Sequence, residues 1–213
     1  MIGIFGGTFD PVHLGHLRPA LDVFEALALE ELRFLPLGQA VHRPPPRFSA
    51  GLRLRMLEAA VADQPGFMVD RREIDSTEPS WTVVTLASLR AELGERTPFC
   101  LLLGRDAFAA FHTWREPRRI LEMAHLVVME RPGEALFLEA PLEALVEGRI
   151  TAEPADLARA PAGRVLFQPV TQLRISSTDI RRRLEQGRSL RWLVPEAVER
   201  LLPRFQDDRP LPD

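Results

Sequence analysis

The sequence predicts an α/β fold in which a parallel β-sheet carries helices on both faces, with a small helical element at its C-terminal end. Two observations support this fold class. Short apolar runs such as PFCLLLG and HLVVMER alternate with longer stretches of helical periodicity, which is the pattern of repeated strand–helix units. A chain of 213 residues, 46% of them hydrophobic, with no internal repeat and no clear linker, can bury one substantial core.

The first half of the chain predicts two strand–helix units and one further strand. Residues 1–5 form a short apolar run that is typical of a buried strand, and residues 14–29 place apolar side chains at helical spacing. The segments that follow are predicted as a strand, a proline-rich loop, a helix and a short strand, over residues 32–37, 42–48, 50–62 and 67–70.

The second half continues the alternation and ends in helices. The predicted elements are a helix, three strands and two helices, over residues 81–93, 98–104, 125–131, 164–170, 175–187 and from about 195 onward. Strands linked through helices pair in parallel, so the expected architecture is a Rossmann-like sheet. We predict a single domain over residues 1–213, with the sheet in 1–170 and a C-terminal motif and helices in 171–205.

The composition narrows the classes of partner. A formal net charge of −3 argues against a nucleic-acid or membrane-surface binder, because such proteins use a broad cationic surface. Cys100 is the single cysteine and predicts neither a disulfide framework nor a cysteine metal site. With no leader pattern and no apolar run near the ~20 residues of a membrane helix, we expect a cytoplasmic protein. Since the sequence contains no lysine, a phosphate contact that needs a permanently charged side chain must come from arginine.

The stretch from Gly3 to His16, GIFGGTFDPVHLGH, carries the strongest functional pattern. Gly6 and Gly7 after the first strand allow a tight turn and bring backbone N–H groups close to a ligand. The helix that follows offers its positive end to an anion, and His13 and His16 at its entry can direct imidazole donors to the same anion. Ligands of such sheets bind beyond the carboxyl ends of the strands, so the pattern predicts a phosphate site.

The run GGTFDPVHLGH resembles the signature of the HxGH nucleotidyltransferase superfamily, and its extended form is similar to the bacterial nicotinate-nucleotide adenylyltransferases. The resemblance implies that this loop binds ATP through Gly6, Gly7, Thr8, Phe9, His13 and His16. We expect Gly15 to keep a side chain out of the ligand's path and Asp10 to brace the loop. The alternative is that the two histidines merely cap or pack against the helix.

A second motif, ISSTDIR, is similar to the C-terminal phosphate-binding element of the same superfamily. Ser176 or Ser177 can cap a helix whose free N–H groups face outward, and the hydroxyl groups of Ser177 and Thr178 add donors. Arg181 adds a fixed charge one turn later, and we count it with His13 and His16 as catalytic. Taken alone, the motif could be a helix cap and nothing more.

Two middle segments extend the resemblance. LPLGQAVHRPP is similar to the family's proline-rich loop that ends in His-Lys, so Arg43 is expected near phosphate, although Ala40 and Val41 replace the usual prolines and the loop could instead be solvated and mobile. EPSWTVVTL resembles the family's Ser-Tyr-Thr segment, which implies that Thr82 and Thr85 face the pyridine carboxylate. Either threonine could instead cap its helix or face solvent.

The segments after the fourth predicted strand complete the acceptor site that the resemblance implies. Gly104 and Asp106 match the Gly-x-Asp element near the ribose of ATP, with a helix cap as the alternative role of the aspartate. The segment FHTWREP through MERPG implies that Trp114 stacks on the nicotinate ring, with Arg115 near its carboxylate and Arg131 near the mononucleotide phosphate. A buried core tryptophan is the alternative for Trp114.

The implied reaction is adenylyl transfer from ATP to nicotinate mononucleotide, which gives nicotinate adenine dinucleotide and pyrophosphate in NAD biosynthesis. The substrate phosphate is itself the nucleophile, so catalysis depends on positioning and charge neutralisation. Mg²⁺ is expected to arrive with ATP, without a metal site built from protein side chains. The sequence leaves open the preference for nicotinate over nicotinamide and whether the chain forms a homo-oligomer.

Other functions remain open at this stage. Phosphopantetheine adenylyltransferases and cytidylyltransferases would share the two phosphate motifs without the segments around Thr85 and Trp114. A class I aminoacyl-tRNA synthetase fragment would need a lysine-rich motif that a chain without lysine does not have. A nucleotide-sensing module without catalysis is the alternative from a different class, and release of pyrophosphate would distinguish it from the enzymes.

Overall fold

The computed structural model describes residues 1–39, 44–130 and 138–203 and has a parallel β-sheet at its centre. The strands in chain order are β1 Ile2–Gly7, β2 Glu31–Pro36, β3 Phe67–Val69, β4 Phe99–Gly104, β5 His125–Glu130, β6 Ile150–Thr151 and β7 Val165–Pro169. In these described residues they form one seven-stranded sheet of order β3-β2-β1-β4-β5-β7-β6, and all its pairings are parallel.

Helices cover both faces of this sheet. Their bounds are α1 Leu14–Ala26, α2 Ala50–Val61, α3 Arg72–Asp75, α4 Thr82–Leu93, α5 Arg105–Ala109, α6 Pro117–Met123, α7 Ala140–Val146, α8 Ser177–Glu185 and α9 Glu196–Leu201, with 3₁₀ turns at Phe111–Thr113 and Pro154–Arg159. On one face α1, α2, α8 and α9 contribute to a single apolar cluster, and on the other α4, α6 and α7 contribute to a second. The predicted α/β fold with helices on both faces is confirmed.

The predicted strands are all present, whereas several short elements were not predicted. The missed elements are α3, α5, α6, α7 and β6, none longer than seven residues. A helix of two turns or less shows too little periodicity to be recognised in a sequence. Ile180 of α8 and Val198 of α9 pack in the same cluster as Val23 of α1. The boundaries proposed for the core and the C-terminal part, 1–170 and 171–205, stay a prediction.

The first helix ends earlier than its apolar pattern suggests. Ala28 has φ +45°, the left-handed conformation, and its N–H donates to Glu25 O at 3.2 Å. The next N–H, that of Leu29, donates to Phe24 O at 3.0 Å. These two bonds form a Schellman motif, which closes α1 at Ala26 and turns the buried Leu29 back to the core.

The strand order reverses between β1 and β4, which are adjacent at the centre of the sheet. β1 pairs with β2 on one side and with β4 on the other. Ligands of such sheets bind outside the carboxyl ends at this point, here next to Gly7 and Gly104. In the part of the chain described, no helix combines the length and apolarity needed to cross a membrane.

Candidate active site

Two cavities open beyond the carboxyl ends of β1 and β4. One, of about 600 Å³, is lined by Trp81 and Trp114 and is called the tryptophan cavity below. The other, of about 660 Å³, is lined by His16 and is called the histidine cavity. The two cavities have a shared wall, made of Phe5, Gly6, Gly7, Thr8, Gly104 and Ala107. A ligand that spans the shared wall would therefore occupy both cavities.

Two of the three glycines of the shared wall, Gly6 and Gly7, belong to β1 and form no turn. Gly6 pairs with Leu35 and Gly7 with Pro36 in the sheet register, so β1 continues two residues beyond its predicted end at residue 5. A Cβ at Gly6 would meet no atom within 4 Å, whereas one at Gly7 would lie 2.9 Å from the ring of Phe9. The chain turns at Phe9, which has φ +47°. The predicted glycine turn is thus replaced by a glycine strand end that leaves the cavities open.

The tryptophan cavity has an aromatic wall. The ring centroid of Trp114 lies 5.5 Å from that of Phe111, which anchors the indole on the adjacent 3₁₀ turn. The Arg115 guanidinium carbon lies 5.1 Å from the centroid of the Trp81 ring. Trp114 is half-buried and lines the cavity as well as packing on the core, so the two sequence interpretations of this residue are compatible. A flat, electron-poor ring would fit between such side chains.

The floor of the tryptophan cavity carries a network of hydroxyl groups around a carboxyl group. Thr85 Oγ1 donates to Glu73 Oε1 at 2.7 Å, and the Ser80 hydroxyl also bonds to Glu73. Ser80 Oγ accepts in turn from the Gly38 N–H at 3.2 Å. Burial is the main cause that raises the pKa of Glu73 above its ordinary value, and the neighbouring Asp70 raises it further. Sequence reasoning did not identify Glu73, because the short helix α3 gives no periodic signal.

In the histidine cavity, His13 and His16 lie against each other at the start of α1. Their ring centroids are 3.7 Å apart and the rings are stacked, with His13 only 4% exposed. Burial lowers the pKa of His13 to about 4, and burial together with the nearby His13 lowers the pKa of His16 to about 3. Both imidazoles are therefore neutral at pH 7. Among the described residues, neither Nδ1 atom has a hydrogen-bond partner.

Gly15 is required by packing inside the protein, and it also lines the histidine cavity. A Cβ at this position would lie 2.9 Å from His13 Nδ1 and 3.0 Å from the carbonyl oxygen of Ile175. Real Cβ atoms essentially never lie closer than 3.0 Å to such an atom, and contacts at 3.0 Å are rare. The glycine thus allows the segment before α8 to lie directly on the histidine pair, which brings the two sequence motifs together.

The N-terminal end of α8 contacts the loop between β1 and α1. Ser176 caps the helix by accepting from the Asp179 N–H at 3.1 Å, and Ser177 Oγ donates to the Pro11 carbonyl at 3.0 Å. Arg181 donates through Nη1 to the Asp10 carbonyl at 2.6 Å and to its carboxylate at 3.2 Å. Of the two serines that could cap the helix, Ser176 is the one that does so.

Two side chains hold the loop between β1 and α1 in place: Asp10, which was expected to brace it, and Arg53, which was not predicted. Arg53, 1% exposed, donates from Nη1 to Thr8 O and from Nη2 to Leu37 O, both at 2.7 Å. Asp10 accepts from the backbone N–H groups of Arg47 and Phe48 at 2.8 and 2.9 Å. Asp10 therefore braces its own loop against the end of the proline-rich loop. An arginine at an apolar position of α2 was the available signal for Arg53.

Most of the predicted site residues lie on the two cavities. Those that line at least one cavity are Gly6, Gly7, Thr8, Phe9, His16, Thr82, Thr85, Gly104, Trp114, Arg115, Ser177 and Arg181. Four predicted residues within the described part of the chain line neither cavity. The ring of His13 is stacked on that of His16, which lines the histidine cavity. Ser176 and Thr178 are exposed at the start of α8, and Asp106 is exposed in the first turn of α5. Arg43 and Arg131 lie outside the described residues. Within the described ranges, no three His, Cys, Asp or Glu side chains form a group that could hold a metal ion.

The chain matches known proteins over most of its length. Residues 4–183 match the cytidylyltransferase-like family. A protein of Methylococcus capsulatus named probable nicotinate-nucleotide adenylyltransferase is 51% identical over 96% of this chain and 97% of its own length. A protein of the same name from Halorhodospira halophila is 50% identical over 92% of this chain and 90% of its own.

The fold also matches solved structures. The nicotinic acid mononucleotide adenylyltransferase of Plasmodium falciparum, in complex with NaAD, superposes with a TM-score of 0.68 over 94% of this chain and 93% of its own, at 16% identity. The same enzyme in complex with APC gives a TM-score of 0.66 at 15% identity. Since relatives near 50% identity match almost from end to end, the chain belongs to the nicotinate-nucleotide adenylyltransferase family of cytidylyltransferase-like proteins.

Proposed function

We propose that this chain transfers the adenylyl group of ATP to nicotinate mononucleotide, giving nicotinate adenine dinucleotide and pyrophosphate, a step of NAD biosynthesis. One observation carries the proposal: a histidine-lined cavity and a tryptophan-lined cavity meet at a shared wall of open backbone beyond β1 and β4. A reaction that joins two nucleotides through their phosphates needs two such neighbouring sites. The names of the relatives near 50% identity agree with this reaction.

The histidine cavity is proposed to bind the triphosphate of ATP. Two helices of at least nine residues, α1 and α8, begin at this cavity, and the positive ends of their dipoles favour an anion. A buried Nδ1 without a partner is best tolerated as an acceptor, which leaves the hydrogen on Nε2 of His13 and His16. The residues proposed to contact ATP are Gly6, Gly7, Thr8, Phe9, His13, His16, Arg43, Gly104, Asp106, Ser176, Ser177, Thr178 and Arg181.

The tryptophan cavity is proposed to bind nicotinate mononucleotide. Trp114 would stack on the pyridine ring, and the ring charge favours an electron-rich indole face. Thr82 is the first residue of α4, so a pyridine carboxylate near it would lie at a helix N-terminus. Thr85 and Arg115 line the same cavity. Arg131 is proposed to contact the mononucleotide phosphate.

The proposed chemistry needs no nucleophile from the protein. An oxygen of the mononucleotide phosphate attacks the α-phosphorus of ATP, and the bond to the β-phosphate oxygen breaks with its electron pair on pyrophosphate. Because His13 and His16 are neutral, they can donate hydrogen bonds to the α-phosphate but add no charge. Arg181 and the Mg²⁺ that accompanies ATP as part of the substrate supply the positive charge.

The cellular setting follows from the substrates. ATP and a mononucleotide are cytoplasmic metabolites, so we propose a cytoplasmic location. A homo-oligomer stays a prediction, which a measurement of the mass of the protein in solution would test. Nucleic acid and membrane surfaces are not proposed as partners, since the net charge of −3 provides no broad cationic surface for them.

A product assay tests the proposed reaction. Purified protein is given ATP and Mg²⁺ with nicotinate mononucleotide, nicotinamide mononucleotide or phosphopantetheine separately, and the adenylylated product and pyrophosphate are quantified by chromatography. We expect equal amounts of dinucleotide and pyrophosphate, and the fastest turnover with nicotinate mononucleotide. Turnover only with phosphopantetheine would keep the ATP site and reject the acceptor. The absence of pyrophosphate with every acceptor would reject the reaction.

A further inference from the structure

The side chain of Glu73 lies on the wall of the cavity that is proposed to take the pyridine ring. Glu73 lines the tryptophan cavity together with Ser80 and Thr85. Thr85 is 8% exposed and bonds to Glu73 Oε1 at 2.7 Å. The backbone fixes the position of Glu73, because a Cβ at Gly38 would lie 1.9 Å from the Glu73 carbonyl oxygen.

The protonation state of Glu73 decides which hydrogens the cavity floor can offer. When Glu73 is ionised, the hydroxyl groups of Thr85 and Ser80 both donate to it, so only their lone pairs remain for a ligand. When Glu73 is protonated, it has a hydrogen of its own to donate, and the Thr85 hydroxyl can turn its hydrogen toward the cavity. With Glu73 ionised, the cavity floor offers only acceptors and suits a carboxamide NH₂. With Glu73 protonated, it offers a donor and suits a carboxylate.

Burial is the main cause that favours the protonated form of Glu73, and the charged neighbours act in both directions. Asp70 at the end of β3 adds a like charge, and Arg72 on α3 opposes it. The Arg72 guanidinium is already bonded to Asp70 and to Glu92 of α4, at 2.7 and 2.6 Å. Arg33 of β2 also bonds to Asp70 and Glu92, and Arg115 lines the far side of the cavity. In the described residues, Glu73 therefore has hydroxyl partners and no ion pair.

We infer that Glu73 is a specificity-determining residue that selects a carboxylate over a carboxamide on the pyridine ring by holding a proton when the carboxylate binds. This inference rests on the proposed function, because it assumes that the tryptophan cavity takes a pyridine mononucleotide. Two carboxylates that share the Thr85 and Ser80 hydroxyl groups in a buried site repel each other, so nicotinate binding is coupled to protonation of Glu73. Glu73 acts through Thr85 and Ser80 and has no role in the chemical step.

The pH dependence of the acceptor preference tests the inference. We would measure kcat/KM for nicotinate mononucleotide and for nicotinamide mononucleotide from about pH 5.5 to about pH 8.5 and take their ratio. The substrate phosphate, His13 and His16 titrate in the same way with both acceptors, so their effects on kcat/KM cancel in the ratio. We expect the ratio to fall as the pH rises, by up to about tenfold per pH unit above the pKa of Glu73.

The Glu73→Gln variant removes the titration and keeps the shape. Its amide can donate to one hydroxyl group and accept from the other, as the protonated acid does, so the ratio should no longer depend on pH. Glu78→Gln is the matched control: Glu78 is exposed in the loop before α4 and outside both cavities, so its ratio should follow the unchanged protein. A constant ratio in the unchanged protein, or the same fall in the Glu73→Gln variant, would overturn the inference.

Calorimetry provides a second test that does not depend on the variant. Binding of each mononucleotide to the unchanged protein, measured in two buffers of different ionisation enthalpy, gives the protons taken up. We expect nicotinate mononucleotide to take up close to one more proton than nicotinamide mononucleotide above the pKa of Glu73. Equal proton uptake would reject the inference and leave the reaction intact. Absence of turnover with both acceptors would instead reject the proposed function, and this inference with it.

Discussion

At the scale of single residues, the histidine pair combines features that ordinary core residues do not. His13 and His16 are stacked, buried and without Nδ1 partners among the described residues, although buried polar atoms normally have one. Each neutral ring keeps one N–H to donate. We expect such donors to act in the transition state, where charge builds up on the α-phosphate, more than on the bound substrates.

Replacing His16 by alanine tests this role. Loss of one transition-state donor typically lowers kcat by about a hundredfold or more, and KM should change much less. His112→Ala is the matched control, because His112 Nδ1 contacts only its own turn, at Ala109 O, and lies outside both cavities. A folded His16→Ala protein with kcat close to that of the control would contradict the role.

Arg53 contributes to the free energy of unfolding of the protein. Its two 2.7 Å bonds hold Thr8 O and Leu37 O, and hydrogen bonds to a charged group contribute about 1.5–3 kcal/mol each. We expect Arg53→Met to lower the free energy of unfolding by about 3 kcal/mol, measured by denaturant titration. Arg55→Met on the exposed face of α2 should change it by less than about 0.5 kcal/mol. Equal effects of the two substitutions would be the contrary result.

How far the site could be predicted differs from residue to residue. His16 and Arg181 belong to short motifs whose spacing is visible in the sequence, and both line the histidine cavity. Arg53 and Glu73 act through contacts with residues distant in the chain, such as Thr8 and Thr85. No local pattern encodes such pairs. The packing reason for Gly15 likewise depends on Ile175, which only the folded chain brings near.

At the scale of elements, the C-terminal end of α1 carries a strained residue. Ala28 is exposed and has φ +45°, a conformation that glycine adopts without the steric cost of a Cβ. We expect Ala28→Gly to raise the free energy of unfolding by about 1 kcal/mol. Ala26→Gly, two residues earlier in the last turn of α1, should lower it by about 1 kcal/mol. Thermal unfolding of the two variants would show opposite shifts, and shifts of the same sign would refute the interpretation.

Element prediction succeeded where periodicity extends over enough residues. The strands β1, β4 and β5 and the helices α2 and α4 each lie within one or two residues of their predicted bounds. The short helices α5 and α6 were missed, because they are set by the turns that connect β4 to β5 and not by an apolar stripe. The end of α1 was misjudged because Leu27 and Leu29 are buried, although Leu29 is outside the helix.

At the scale of the whole molecule, the two histidines make stability depend on pH. In the unfolded chain their pKa is near 6.5, and in the folded protein it is about 4 for His13 and about 3 for His16. Between the folded and unfolded pKa values, the unfolded chain therefore binds more protons than the folded protein. The contribution of the histidines to the free energy of unfolding is complete above about pH 6.5 and is lost as the pH falls toward 4. Glu73, with its raised pKa, has the opposite sign, since its contribution falls as the pH rises above 4.5.

Denaturant unfolding at two pH values checks this prediction. Between about pH 7 and about pH 5, the histidine pair should cost the folded protein about 4 kcal/mol. The double variant His13→Gln, His16→Gln lacks that loss and keeps the contribution of Glu73, so the difference between the two proteins isolates the pair. If both proteins lose the same free energy over this range, the histidines are not buried as neutral groups.

The shared wall has a consequence for how such a protein can diverge. A side chain introduced at Gly6 would project into open space that borders both cavities, so it would impair both substrates at once. Trp114 and Thr85, by contrast, line only the tryptophan cavity, and His16 and Arg181 only the histidine cavity. Substitutions at residues that line only one cavity can therefore change the binding of one substrate without changing the binding of the other. The architecture makes acceptor choice an evolvable trait, while the wall between the cavities is constrained from two sides.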